Sequence, residues 1–253
     1  MLNFDPARFL RIQTGTVSIA RDLGTLVGRL VAEGADSLFF MGSGGAGILM
    51  QPATDLMRRA SNLPCHNVLC AEIVLTGHVA LGPKSVVIMP SLSGTTKESI
   101  AAMDYVKARG ATVISITGHA DTPLAKGADH SFVNFAEDDT SCEMFYVTSL
   151  VAALSAMQAR GERSDYDRIS GELAGLPQQL LAVKQAFERR ADALARAIAA
   201  DGWHILTGSG AAWPEAYYYG MCILEEMQWI RTRPVHASDF FHGTLELVEK
   251  GVS

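Results

Sequence analysis

The stretch Ser85–Ser99, SVVIMPSLSGTTKES, carries the reading of the fold. Ser85–Met89 is a short, mostly apolar run of strand type, a turn rich in Ser, Gly and Thr follows, and a helical pattern opens over about Thr95–Arg109. The same succession recurs on both sides. Ser37–Phe40 (SLFF) leads into MGSGGAG and a helical pattern from about Ile48 to Ala60. HNVLC (66–70), ATVISIT (111–117) and HSFVNF (130–135) read as further strands, and a helix from Glu143 to about Met157 closes the series. Short apolar strands alternating with helices predict a parallel sheet covered on both faces, and right-handed crossovers make it a doubly wound α/β layer structure.

Working outward, 253 residues suffice for one large domain or two modest ones. The polar segment 160–175 contains three glycines and marks a boundary, and Pro177 sits where a long, alanine-rich helix to Ala200 can start. The expected organisation is a first unit with an N-terminal helical segment over 1–160, a linker and long helix over 161–200, and a second unit from 201 to 253. In that second unit LTGSG echoes FMGSG, with Gly208 lying 166 positions after Gly42, so a tandem duplication is plausible. The chain stops where another strand should begin, which would leave an open sheet edge; an incomplete second domain is expected.

A net charge of −6 with dispersed Lys and Arg excludes a nucleic-acid-coating role. The four cysteines show no metal-ligand spacing, so neither a disulfide framework nor a zinc site is expected. The N-terminus lacks the regions of a signal peptide, and no uninterrupted apolar run approaches the roughly 18 residues of a membrane span. A soluble cytoplasmic protein without membrane or nucleic-acid partners is the expectation.

Chemistry concentrates in three places. In MPSLSGTTKES, Ser91, Ser93, Thr95 and Thr96 put four hydroxyls in six residues at a helix N-terminus, and Gly94 permits close backbone approach. One hydroxyl suffices for an N-cap; four suit a phosphate monoester. In MGSGGAG the glycines at 42, 44, 45 and 47 do not fit a dinucleotide fingerprint, and no P-loop lysine follows. Tight-turn packing and ligand contact by Ser43, Gly42 and Gly44 are both open. In ILEEMQW, α-helical spacing surrounds Glu226 with Tyr219, Cys222, Ile223, Trp229 and Ile230, an apolar setting that would raise a carboxyl pKa towards acid/base use. A half-exposed Glu226 beside Arg231 or Arg233 is the plain alternative. His242, before Gly243, could cap, pack or catalyse, and His236 competes with it; the other histidines read as surface or turn residues.

These residues resemble a known family. Ser91-Leu-Ser93-Gly94-Thr95-Thr96 is similar to the S-x-S-G-x-T phosphate loop of sugar isomerase (SIS) domains, whose units are flavodoxin-like doubly wound sheets. ITGHADTPLAKGAD looks like the family's strand followed by SPLA..AD. EEMQWIRTRPVHASDFFHGTLELVEKGV resembles its Glu-to-His-Gly stretch, in which a catalytic glutamate and histidine stand sixteen positions apart, as Glu226 and His242 do here. The likeness covers nearly the whole chain and is nearest to fructoselysine-6-phosphate and fructosamine-6-phosphate deglycases, with the isomerase half of glucosamine-6-phosphate synthase more distant.

The resemblance implies deglycation of a 6-phosphofructosyl-amine. It assigns phosphate binding to Ser43, Ser91, Ser93, Thr95 and Thr96 with Gly42, Gly44 and Gly94 at the pocket backbone, and acid/base roles to Glu226 and His242. No metal or redox cofactor is implied. The implied assembly is a homodimer whose pocket borrows its histidine from the second subunit. A sugar-phosphate isomerase, an amino-sugar-phosphate deaminase and a non-catalytic sugar-phosphate-binding regulator are the alternatives. Two positions depart from the pattern: Thr244 stands where proline is usual, expected to loosen the helix start, and His236 where close deglycases often carry glutamate.

Overall fold

The computed structural model describes residues 4–137 and 140–253. By its internal packing the chain divides into two compact units, Asp5–Gln178 and Gln179–Ser253. In the first, α1 (Pro6–Ala32) is capped by Asp5, whose side chain accepts from the Ala7 and Arg8 N–H groups. Then follow β1 (Ser37–Gly42), the short α2 (Gly45–Ile48), α3 (Gln51–Ala60), β2 (Cys65–Leu69) and α4 (Cys70–Thr76). The chain continues through β3 (Ser85–Ser91), α5 (Lys97–Lys107), β4 (Thr112–Thr117), α6 (Pro123–Gly127), β5 (His130–Val133), α7 (Ser141–Ala159) and α8 (Tyr166–Glu172).

The five strands are parallel in the order β2-β1-β3-β4-β5. β1 and β3 are buried along their whole length, as expected for central strands covered on both faces. Alternate residues take opposite sides: Phe39, Met41, Val87 and Met89 share one core with Ile73 of α4 and Val106 of α5. α1 packs on α7, with the Ser155 hydroxyl donating to the Gly24 carbonyl at 2.6 Å. A Cβ at Gly28 would come within 2.6 Å of that same hydroxyl, so small residues at these positions let the helices approach.

Several boundaries differ from the sequence expectation. The helix expected from about Ile48 to Ala60 starts at Gln51, ahead of Pro52, and is preceded by the separate short α2, which ends at Ile48. HNVLC ends its strand at Leu69, and Cys70 already opens α4, which the apolar pattern alone did not separate. α5 starts at Lys97 because Thr96 keeps an extended ψ of 119°. α7 is 19 residues long with a mean hydropathy of 1.2, so by length and composition it could cross a membrane, although no uninterrupted apolar run does. Its Ser, Thr and Gln residues break the run without lowering the average enough, and most of the helix is buried within the unit.

The long α9 (Leu176–Ala200) leads into the second unit. There β6 (His204–Gly208), α10 (Ala212–Tyr218), a π-helical segment Tyr219–Met227, β7 (Thr232–His236), α11 (Ala237–Phe240) and a 3₁₀ turn Thr244–Leu247 follow. β6 and β7 pair in parallel, and Val252 bridges in parallel to Trp203. The echo between the two glycine turns has a structural counterpart. A Cβ on Gly42 would meet the Gly47 backbone at 2.6 Å, and one on Gly208 the Ala212 carbonyl at 2.4 Å. Each glycine ends a strand and makes room for the helix start that follows it.

Candidate functional site

β1 and β3 are neighbours, but the chain leaves β1 for β2 on one side and returns to β3 on the other. In such sheets a crevice opens at the carboxyl ends of the two strands, where the turns diverge. The hydroxyl-rich turn after β3 and the glycine turn after β1 both lie there, which brings Ser43 to the same edge of the sheet as Ser91–Thr96.

The turn builds itself from its own hydroxyls. Ser91, 5% exposed, accepts from the Gly94 N–H at 3.1 Å and lies 3.3 Å from Thr96 Oγ1. Ser93 Oγ accepts from the Thr95 N–H at 3.3 Å and from Thr95 Oγ1 at 3.1 Å. Gly94 has φ +63°, and a Cβ there would stand 2.2 Å from Thr122 Oγ1, so both backbone conformation and space require glycine. Thr96 occupies the N-cap position of α5, yet its side chain makes no capping bond and turns to Ser91 instead. The first helical N–H groups of α5 are therefore left without a cap, a partial positive charge facing the turn. A plain capping role would have spent a hydroxyl on them; an anion would satisfy them.

On the β1 side, Gly44 has φ +56° with open space around it, and Gly42 is demanded by packing against Gly47. Ser43 is half-buried. Its hydroxyl and that of Ser99, which is buried without a hydrogen-bond partner, are the polar neighbours of the buried Cys70 thiol, whose pKa burial pushes up. Cys70 and Ser99 thus join the glycine turn to the first turn of α5, a link the sequence reading missed. The signal lay in register: Gly42 pairs with Leu69, placing Cys70 one residue beyond the end of β1.

In the second unit Glu226 is exposed, contrary to the apolar surround expected from α-helical spacing. The segment Tyr219–Met227 is π-helical, so its i→i+5 bonds shift every side chain off the α-helical ridges used for that expectation. Glu225 is the half-buried member of the pair, and its Oε1 accepts from Thr232 Oγ1 at 2.6 Å. Among the described residues Glu226 makes no ion pair with Arg231 or Arg233; Arg233 Nε donates to Thr244 Oγ1 at 3.2 Å.

Thr244 is 2% exposed and opens a four-residue 3₁₀ turn, so its hydroxyl serves a contact that proline could not make. His242 is exposed in the preceding turn. Glu226 precedes β7 and His242 follows it, and among the described residues no hydrogen bond or ion pair joins them. His236 caps α11, accepting from the Ser238 N–H at 3.2 Å, and lies edge-on to Trp213 at 5.5 Å. His66 and His78, expected as surface or turn residues, lie with their ring centroids 4.3 Å apart at a tilt of 55°, beside Phe39.

The family model described as SIS domain matches residues 33–160. Fructosamine deglycase FrlB of Bacillus subtilis (strain 168) is 27% identical over 242 residues, covering 94% of this chain and 73% of that protein. Fructoselysine 6-phosphate deglycase of Escherichia coli O157:H7 is 26% identical over 230 residues, covering 90% of this chain and 66% of the relative. The C-terminal domain of glucosamine-fructose-6-phosphate aminotransferase from Francisella tularensis superposes with a TM-score of 0.85 at 16% identity, covering 98% of this chain and 72% of that one, a likeness of fold alone. The chain spans about two thirds to three quarters of the length of these proteins.

Proposed function

Since this chain belongs to the SIS domain family, we propose that it takes part in cleaving a 6-phosphofructosyl-amine to glucose 6-phosphate and the free amine. The observation that carries the sugar-phosphate part is the uncapped start of α5 facing a turn of four hydroxyls at the β1/β3 switch point. The deglycase part is supported by similarity along most of the chain to two proteins of that name.

In this reading Ser91, Ser93, Thr95 and Thr96 hold the phosphate with the first N–H groups of α5, and Ser43 contributes from the neighbouring turn. The cyclic substrate opens when a proton reaches the ring oxygen and another leaves the anomeric hydroxyl. An imidazole can both deliver and accept a proton, which suits that exchange, and His242 is assigned it. Glu226 then removes a proton from C1, giving an enaminol, and returns one to C2. The electron pair relocates through the substrate's own nitrogen, leaving a Schiff base at C1. Water adds to that carbon and the C–N bond breaks, releasing amine and the aldehyde form of glucose 6-phosphate.

Glu226 and His242 are both exposed and unjoined within one chain, which favours a homodimer in which each pocket takes its histidine from the second subunit. A panel of fructosyl-amine 6-phosphates, assayed for glucose 6-phosphate and free amine, tests the reading. Release of both in equal amounts is expected. Interconversion of fructose 6-phosphate and glucose 6-phosphate without amine release would replace it with an isomerase, and tight binding without turnover with a regulator.

A further inference from the structure

Beside the end of the π-helical segment lies a cleft that the phosphate reading does not use. The cleft, of 280 Å³, is lined by Glu225, Trp229, Ile230, Arg231 and Thr232. That is just under the roughly 300–1,000 Å³ of pockets for drug-sized ligands, so it suits a smaller one. We propose that this cleft binds the ammonium–carboxylate head of an α-amino acid.

Three observations point the same way. Trp229 is the one non-glycine residue with positive φ (+57°) among the described residues, and it is 90% exposed. Its backbone is held there by Trp229 N–H to Glu225 C=O at 3.1 Å and Ile230 N–H to Leu224 C=O at 2.9 Å. Glycine is the residue such a helix end normally takes; a bulky indole kept in this conformation and in water is strain of the kind found at ligand sites. Second, Glu225 is half-buried and oriented by the Thr232 hydroxyl on one oxygen, leaving the other to accept from a ligand. Third, Arg231 is exposed, and among the described residues its guanidinium makes no hydrogen bond or ion pair.

The charges select the ligand. A lone anion at Arg231 would meet the Glu225 carboxylate, and a lone cation at Glu225 would meet the guanidinium. A ligand carrying both charges a short distance apart satisfies both. Its ammonium goes to Glu225 and the indole face, and its carboxylate pairs with the arginine fork. The inference does not depend on turnover, so it can fail while the deglycase reading stands, and the reverse.

The probe is L-norleucine, whose side chain is neutral, titrated calorimetrically into the intact protein beside its Nα-acetyl and methyl-ester derivatives. Saturable millimolar binding of L-norleucine is expected, with each derivative weaker by about tenfold or more, since each deletes one charged contact. Arg231→Gln, at an exposed position, should weaken binding by a similar factor. Trp229→Gly relieves the backbone strain, so it should keep or raise the melting temperature while weakening binding. Two further arms locate the head's source: fructosyl-lysine and fructosyl-butylamine 6-phosphates with wild type and Arg231→Gln. A KM increase confined to the lysine adduct assigns the head to the sugar substrate; no such increase, with norleucine binding intact, assigns it to a free amino acid. No saturable binding of L-norleucine by the wild type, or binding of either derivative as tight as that of L-norleucine itself, overturns the proposal.

Discussion

The turn after β3 and the segment around β7 solve different problems with similar residues. In the first, every hydroxyl from Ser91 to Thr96 has its position set by a partner within five residues, and the empty helix end beside them is a product of the same short stretch. In the second, Glu226 and His242 stand in solvent on either side of a strand, their side chains with no hydrogen-bond or ion-pair partner among the described residues. A binding cradle for an anion can be made locally from backbone N–H groups and short side chains. An acid/base pair needs surroundings that perturb and align it, and those come from elsewhere. The comparison predicts that the two regions respond to mutation in opposite ways.

The largest effect should be Glu226→Gln, which removes the proposed proton carrier while leaving an exposed, isosteric side chain. Its kcat for glucose 6-phosphate release should fall by about 10²–10⁴-fold with KM and melting temperature little changed. Retained turnover would break the comparison by showing that the second region is not the acid/base one. Next is Gly94→Ala, whose Cβ would lie 2.2 Å from Thr122 Oγ1 and whose φ of +63° disfavours alanine. The clash displaces the hydroxyl that caps α6, and a loss of about 2 kcal/mol is expected in denaturant unfolding.

Ser93→Ala separates binding from building. Ser93 is exposed, so stability should hold while KM for the phosphorylated substrate rises about tenfold. Ser91→Ala, removing a buried acceptor, should lower both affinity and stability. Equal effects from the two would blur the distinction drawn here.

The smallest effect concerns the sheet edge. Burial, and after it the neighbouring His78, hold the His66 pKa below its ordinary 6.5. The unfolded chain therefore binds the proton first as pH falls. Stability is fully present above about pH 6.5 and declines below it, until the folded imidazole is itself protonated. Melting curves between pH 7.5 and 5.5 should show this slope in the wild type and less of it in His66→Gln; an unchanged slope would remove His66 from the account.

How much was legible beforehand follows from the same distinction. β1, β3 and β4 were readable because a buried parallel strand writes its burial directly as a short apolar run bounded by turn residues. α4 was not, because CAEIVLT follows β2 without a turn residue between them. The hydroxyl turn was legible as a candidate anion site from Ser91, Ser93, Thr95 and Thr96, whereas the position of Cys70 beside it required the register of β1 with β2. Of the two settings open for Glu226, the apolar surround fails because α-helical spacing was applied to residues that are π-helical, and no periodicity in nine residues separates the two.

By itself, then, the sequence determined the alternation of strands and helices and the chemistry of the turn after β3, since hydrophobic period and short-range hydrogen bonding act between residues close in the chain. Tertiary structure alone decided the strand order that sets Ser43 beside Ser91. It also decided the π-helical stretch that exposes Glu226 and buries half of Glu225, and the left-handed backbone that holds Trp229 out in solvent. Burial and register are set by partners tens of residues away, and no local pattern encodes them.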